Sequence, residues 1–172
     1  MKLTLGIIMS FLLSCSSTTY KTKVKSVDID RFMGDWYVLA GRFTMFETDV
    51  HNGIESYTWN EKESRIDIDF TYRKGSFQGE KKSFPQKGCI YNKETNAHWK
   101  VSPFWPLKFD YLIIDISDDY SWVAIGVPST DYLWIMARDY ENAVETISLV
   151  QERLKAKNYP ANKLEFVPHK YD

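Results

Sequence analysis

Residues 65–73 read RIDIDFTYR, with Ile66, Ile68, Phe70 and Tyr72 alternating with Asp67, Asp69, Thr71 and Arg73. A period of two places the first set on one face of a strand and the second on the other, so this stretch demands a sheet with one dry and one wet face. Comparable runs recur at intervals of roughly 8–14 residues, the spacing of an all-β sandwich or barrel. They are WYVLAGRF (36–43), IESYTWN (54–60), SFPQKGCIYN (83–92), AHWKVS (97–102), YLIIDIS (111–117), YSWVAIGVP (120–128) and DYLWIMAR (131–138). Residues 60–64 form a charged hairpin loop between the second and third runs. Pro85 has no N–H to give to a ladder, so the fourth run is expected at an edge or a bulge.

The period changes in NAVETISLVQERLKAKNY (142–159), where Ala143, Ile147, Val150 and Leu154 share one helix face. Asn142 followed by Glu145 has the spacing of a capping box, and Pro160 lies beyond the helix end. A short run, KLEFV (163–167), follows. Eight strands, one amphipathic helix and a late strand describe a small closed all-β barrel. The helix packs outside it, and the interior is wide enough for side chains or one small ligand. Aromatic residues make up 16% of the chain, which suits strands and aromatic cavity walls.

The N-terminus reads differently. Lys2 precedes an apolar segment from Leu3 to Leu13, about as long as a signal-peptide core and too short to span a bilayer. It ends in Leu12-Leu13-Ser14-Cys15, which resembles the lipobox of bacterial lipoproteins, where the leader is cut before an acylated cysteine. Residues 1–14 are then a lipoprotein signal peptide, 15–27 a lipidated, flexible tether and 28–172 the domain. Ser16 in place of an aspartate implies, by the same resemblance, the outer membrane. With Cys15 acylated, Cys89 has no partner for a disulfide and is expected to be a buried, inert thiol.

Several function classes find no support. The formal net charge is −1 and no run of Lys and Arg offers a track for phosphates, so nucleic acid is not an expected partner. His51, His98 and His169 are far apart, without metal-ligand spacing. Gly-x-Ser-x-Gly and phosphate-binding glycine loops are missing. The expectation is a protein that is not an enzyme, without metal or cofactor.

Three short motifs carry a family resemblance. MGDWY (33–37) resembles the Gly-x-Trp signature of lipocalins, with Gly34 and Trp36. ISDDYSWVAIG (116–126) resembles the second signature, with Asp119 and Tyr120. Arg138 after the eighth strand resembles the third. VDIDRFMGDWY, SPFWPLKFDY and KLEFVP are similar to the bacterial outer-membrane lipocalins related to apolipoprotein D. The resemblance implies an eight-stranded up-and-down antiparallel order for the barrel. It also implies that Gly34, Trp36, Asp119, Tyr120 and Arg138 converge at the closed end as structure, with Arg138 over the Trp36 indole. The mouth is then rimmed by loops near 44–53, 74–82, 103–110 and 127–131. These carry Met45, Phe46, Phe104, Trp105, Leu107 and Phe109.

For the cavity wall the expectation is Ile66, Ile68, Phe70, Tyr72, Trp99, Tyr111, Ile113 and Trp134. The last of these rest on strands whose two faces are equally apolar. Tyr72, His98, Lys100 and Tyr111 are candidate polar partners for a head group. Burying about fourteen methylenes of an acyl chain is worth roughly 11 kcal/mol before ordering costs. The resemblance implies fatty acids or lysophospholipids as ligands, a membrane reached through the lipid anchor, and a role in envelope maintenance under stress. A structural lipoprotein with a filled barrel, a binder of pigment or haem, and a homodimer stay open.

Overall fold

The computed structural model describes residues 19–22, 24–45 and 47–170. A single turn of helix, α1 (Ile29–Phe32), precedes strands β1 (Gly34–Arg42), β2 (Val50–Asn60), β3 (Arg65–Lys74), β4 (Lys81–Ile90), β5 (His98–Ser102), β6 (Phe109–Ile116), β7 (Trp122–Gly126) and β8 (Leu133–Ala137). Helix α2 (Ala143–Ala156) and the two-residue β9 (Glu165–Phe166) follow. Each strand pairs antiparallel with the next, β8 pairs with β1, and β1 returns to β2, so eight strands close on themselves. Pro85 sits opposite Asp69 of β3, while β5 pairs only with Lys87 to Ile90 of β4. The proline therefore occupies a stretch with a neighbour on one side, an edge position as expected.

Alternation sorts the side chains into two cores. Ile66, Ile68, Phe70, Trp99, Val101, Ile113, Ile125 and Met136 lie in the barrel interior. Leu39, Leu112, Ile114, Leu133 and Ile135 face outward and meet Ile147, Val150 and Leu154 of α2. Strands β6 and β8 are apolar on both faces because one face lines the barrel and the other seats the helix. Asp115 of β6, 3% exposed, holds Arg153 of α2 at 2.7 and 3.2 Å. The capping box does not form. Asn142 stands at the N-cap without a side-chain bond to the helix, and a backbone bond from Thr146 N–H to its carbonyl closes the first turn.

The closed end is built around one guanidinium. Arg138 lies 3.7 Å from the Trp36 ring centroid. It donates to the carbonyls of Arg31, Phe32, Met33 and Asp35 at 2.7–3.1 Å. These carbonyls belong to the last turn of α1 and the start of β1, which otherwise have few partners. Gly34 has φ of +95°, and a Cβ there would stand 3.4 Å from Arg138 Nη1. The same turn carries Trp36, whose indole donates to the Phe32 carbonyl at 2.9 Å. Between β6 and β7, Asp119 accepts from Ser121 N–H at 3.0 Å, and hydrogen bonds from Ser117 and Ser121 pull its carboxyl down to about 2. The turn puts Tyr120 under Arg31 at 4.2 Å, and Asp28 N–H donates to the Tyr120 hydroxyl at 2.7 Å.

Two segments outside the eight strands seal the barrel. From Tyr20 on, the stretch expected as a flexible tether is a strap laid on the barrel. Tyr20 N–H donates to the Pro128 carbonyl at 2.9 Å, Thr22 bonds the Ile113 carbonyl, and Val27 is buried with its N–H on Thr95. Pro128 lies in the β7–β8 loop at the mouth; Thr95 lies in the β4–β5 loop at the closed end. At the opposite seam β1 pairs with β2 only over Gly34–Tyr37. Above that point the C-terminal segment wedges between them. Its Phe166 and Glu165 pair with Ala40 and Gly41 of β1, and Asn52 of β2 donates to the Pro168 carbonyl at 2.9 Å.

Replacing Arg138 by Met should lower stability by about 2 kcal/mol, since several carbonyls lose their donor and the indole its cation. Urea unfolding should show the fall in midpoint, and Arg138→Lys should recover less than half, because an ammonium has no planar fork.

Candidate ligand site in the barrel

The interior is full at one end and looser at the other. Phe32, Trp36, Tyr57 and Trp99 are all essentially inaccessible to solvent. Phe32 packs on the other three at ring distances of 4.9–5.3 Å. Toward the mouth, Phe43, Tyr72, Phe84, Tyr111 and Trp134 line the interior while keeping partial exposure. Of the expected wall residues, Ile66, Ile68, Phe70, Tyr72, Trp99, Tyr111, Ile113 and Trp134 all fall in or against this interior cluster. Trp99 and Tyr111 stack at 5.3 Å, and Phe70 and Tyr72 at 5.0 Å.

His98 and Lys100 are not part of it. Both point outward on β5 and share the carboxylate of Asp110, at 2.5 and 2.6 Å. Alternation explains this, because Trp99 and Val101 take the inner face. Cys89 also departs from expectation. It is exposed, because Gly88 takes the inward position on β4 and packs against Ile66 and Ile68. Phe104 and Trp105 stand on the β5–β6 loop at the mouth with 52% and 89% exposure, beside exposed Leu107 and Phe109. Met45 is exposed on the β1–β2 loop. Phe46 and Cys15 lie outside the described residues.

The residue missed in the sequence is Glu55. Its Cα pairs with Phe70, as Tyr57 pairs with Ile68 and Trp59 with Ile66, so the inner face of β2 carries Glu55, Tyr57 and Trp59. Glu55 is 6% exposed and accepts a hydrogen bond from the Tyr57 hydroxyl, which also bonds the Tyr111 hydroxyl from β6. Burial drives the Glu55 carboxyl up to about 7; the Tyr57 bond opposes the rise and the Glu47 carboxylate adds to it. The signal was present, since Glu55 shares its alternation set with two aromatics. The other set, Ile54, Ser56 and Thr58, looked equally mixed. Glu47, on the β1–β2 loop, accepts from the Trp134 indole at 2.8 Å and from Thr44 N–H and Oγ1 at 3.1 and 2.7 Å. It borders a cavity of about 240 Å³ between that loop and the C-terminal wedge, with Phe43, Val50, Phe166 and Val167 among its walls.

A closed end plugged by Arg138 and Trp36 and a largely apolar interior describe a cup for a small hydrophobic molecule. The family model for a lipocalin-like domain matches residues 27–169. The chain is a lipocalin. This lipocalin is 30% identical over 158 residues to temperature-induced lipocalin-1 of Arabidopsis thaliana, an alignment covering 84% of the chain and 81% of the plant protein. It is 24% identical over 145 residues to outer membrane lipoprotein Blc of Vibrio cholerae, covering 84% of each. Among solved structures, Per a 4, a major allergen from cockroaches, superposes with a TM-score of 0.63 at 18% identity, covering 88% of this chain and 94% of that one. Lipocalins are in general binding and transport proteins for small hydrophobic molecules, and the cup is built for that work.

An unfolded glutamate ionises near 4.5, and Glu55 in the folded barrel near 7. Between these values the native state keeps a proton that the unfolded state has lost, so this group's contribution falls as pH rises through the window and is flat above it. Wild type should lose about 3 kcal/mol relative to Glu55→Gln between pH 4.5 and 7.5, read as the difference between their urea midpoints at each pH.

Proposed function

We propose that the protein is a lipid carrier anchored at the bacterial outer membrane, holding single-chain lipids of the fatty-acid or lysophospholipid kind for envelope maintenance under stress. It works by binding and carries out no reaction. The observation that carries the reading is the asymmetry of the interior. The closed half is filled by Phe32, Trp36, Tyr57 and Trp99, while the aromatic walls nearer the mouth, Tyr72, Phe84, Tyr111 and Trp134, keep exposed surface that an acyl chain would cover. Each buried methylene contributes about 0.8 kcal/mol, so even a partly sheathed chain can offset association costs.

The strap supports an orientation. Tyr20 is pinned at the mouth end beside Pro128. From Cys15 to Tyr20 the chain spans at most about 18 Å when extended. An acylated Cys15 would therefore hold the mouth, with exposed Phe104, Trp105 and Leu107, toward the bilayer. The resemblance of the leader to a lipobox and the similarity to outer membrane lipoproteins support this placement.

Both cores and all eight barrel strands described lie within residues 27–167, so a chain beginning at Ser16 carries the whole barrel. Stripped of lipid, it should bind one lysophospholipid or fatty acid per molecule, measured by heat and by Trp fluorescence below the micelle concentration. Phe70→Asp should weaken that binding at least tenfold. No saturable binding to either would overturn the carrier reading. In cells, Cys15→Ser should move the protein out of the membrane fraction.

A further inference from the structure

The cavity at the seam where β1 and β2 part joins two kinds of wall. Phe43, Val50 and Val167 line it and also pack in or against the interior cluster, so it adjoins the space an acyl chain would occupy. Its polar walls are Glu47, Asp49, His51 and Glu165. Three of these are carboxylates, and they come from two distant segments, the β1–β2 loop and β9, which the wedge brings together. Glu47 takes its hydrogen bonds from neutral donors, the Trp134 indole and Thr44. His51 adds a buried Nδ1 with no hydrogen-bond partner among the described residues.

The neighbouring cations are largely engaged elsewhere. Lys74 reaches Asp49 at 3.7 Å but also holds the Thr48 carbonyl and hydroxyl at 2.6 and 2.9 Å. Arg73, the partner of His51 in the ladder of β2 with β3, donates to the Gly79 carbonyl at 3.2 Å. Arg42, next to Phe43, turns its guanidinium to the carbonyls of Thr130, Asp131, Pro160 and Asn162. Lys163 and Lys170, before and after β9, are exposed. The β3–β4 hairpin has the opposite balance, with Arg73, Lys74, Lys81 and Lys82 against Glu80. There Lys82 pairs with Glu80 at 2.7 Å and stands opposite Tyr72 on the inner face of β4. The mouth is thus acidic at the seam and basic at the hairpin. A concave site with apolar walls, carboxylates and an open acceptor favours a positive group with N–H to give.

We propose that this cavity takes the ammonium end of a zwitterionic head group, so that the lipid carried is a lysophospholipid ending in an amine rather than in an uncharged alcohol. The inference rests on the carrier reading and names its head group. The acyl chain lies along the aromatic walls of the interior and the ammonium sits among Glu47, Asp49 and Glu165. The phosphate stays outside those carboxylates, toward the basic hairpin.

The test uses the lipid-free chain beginning at Ser16 and two probes with one acyl chain, lysophosphatidylethanolamine and lysophosphatidylglycerol. They are titrated at pH 8 below their micelle concentrations, where the amine is charged and an ordinary imidazole is neutral. Wild type should bind the ethanolamine lipid about tenfold tighter than the glycerol lipid. Glu165→Gln, a change at an exposed side chain, should narrow the ratio to about threefold. Combined with Glu47→Gln it should bring the two lipids to within about twofold, by weakening the ethanolamine lipid. Equal binding in wild type, a preference for the glycerol lipid, or a preference that both variants keep overturns the ammonium site and leaves the carrier reading standing. Failure of both lipids and of a fatty acid to bind removes the carrier reading and this inference with it.

Discussion

One guanidinium holds the bottom of this barrel together. Arg138 arrives at the end of β8, the last strand to close the cylinder, and joins carbonyls of α1 and β1, the first elements of it. Its planar donors reach several acceptors at once while its face rests on the Trp36 indole, a combination open to arginine and not to lysine. The contact ties the two ends of the sheet and roofs Trp36, so the interior has a floor. Without a floor the cylinder would be open at both ends and its apolar walls wetted throughout.

The floor in turn defines two regions with different chemistry. Near it, large aromatic rings pack to the density of an ordinary core. Above it sits a layer of Glu55, Tyr57 and Tyr111, a polar group paid for by burial that pushes its ionisation close to neutrality. Beyond that layer the walls are aromatic and partly open. The mouth loops expose Met45, Phe104, Trp105 and Leu107, apolar surface that a folded monomer otherwise tends to hide. Strap and wedge then complete the walls. The first stitches the mouth end of β7 to the closed end, and the second fills the gap where β1 and β2 part.

Much of this was legible in the residue order because a strand's period is two and its consequences are local. Ile66, Ile68, Phe70 and Tyr72 could only share a face, and Trp99 had to oppose His98 and Lys100. The motifs around Gly34, Trp36, Tyr120 and Arg138 could be found by their spacing. What stayed hidden depended on which of two similar faces turns inward. Glu55 carries no local signal of burial, because a carboxylate on a mixed strand usually faces water, and only the pairing of β2 with β3 puts it beside Phe70. Cys89 looked buried as a small hydrophobe, but its neighbour Gly88 took the inner position. Residues 20–27 looked like a linker because their composition is polar, and their bonds run to Thr95, Ile113 and Pro128, distant in sequence.

The sequence by itself determined the strands, the helix and its buried face, and the identity of the residues that plug the closed end, because propensity, periodicity and short motifs act over a few neighbours. The tertiary structure alone decided where a carboxyl would be shut away from water, and where the strap from Tyr20 and the wedge at Glu165–Phe166 would lie. Those outcomes depend on register and closure, which bring residues many positions apart to one place, and no local pattern in the chain encodes such a meeting.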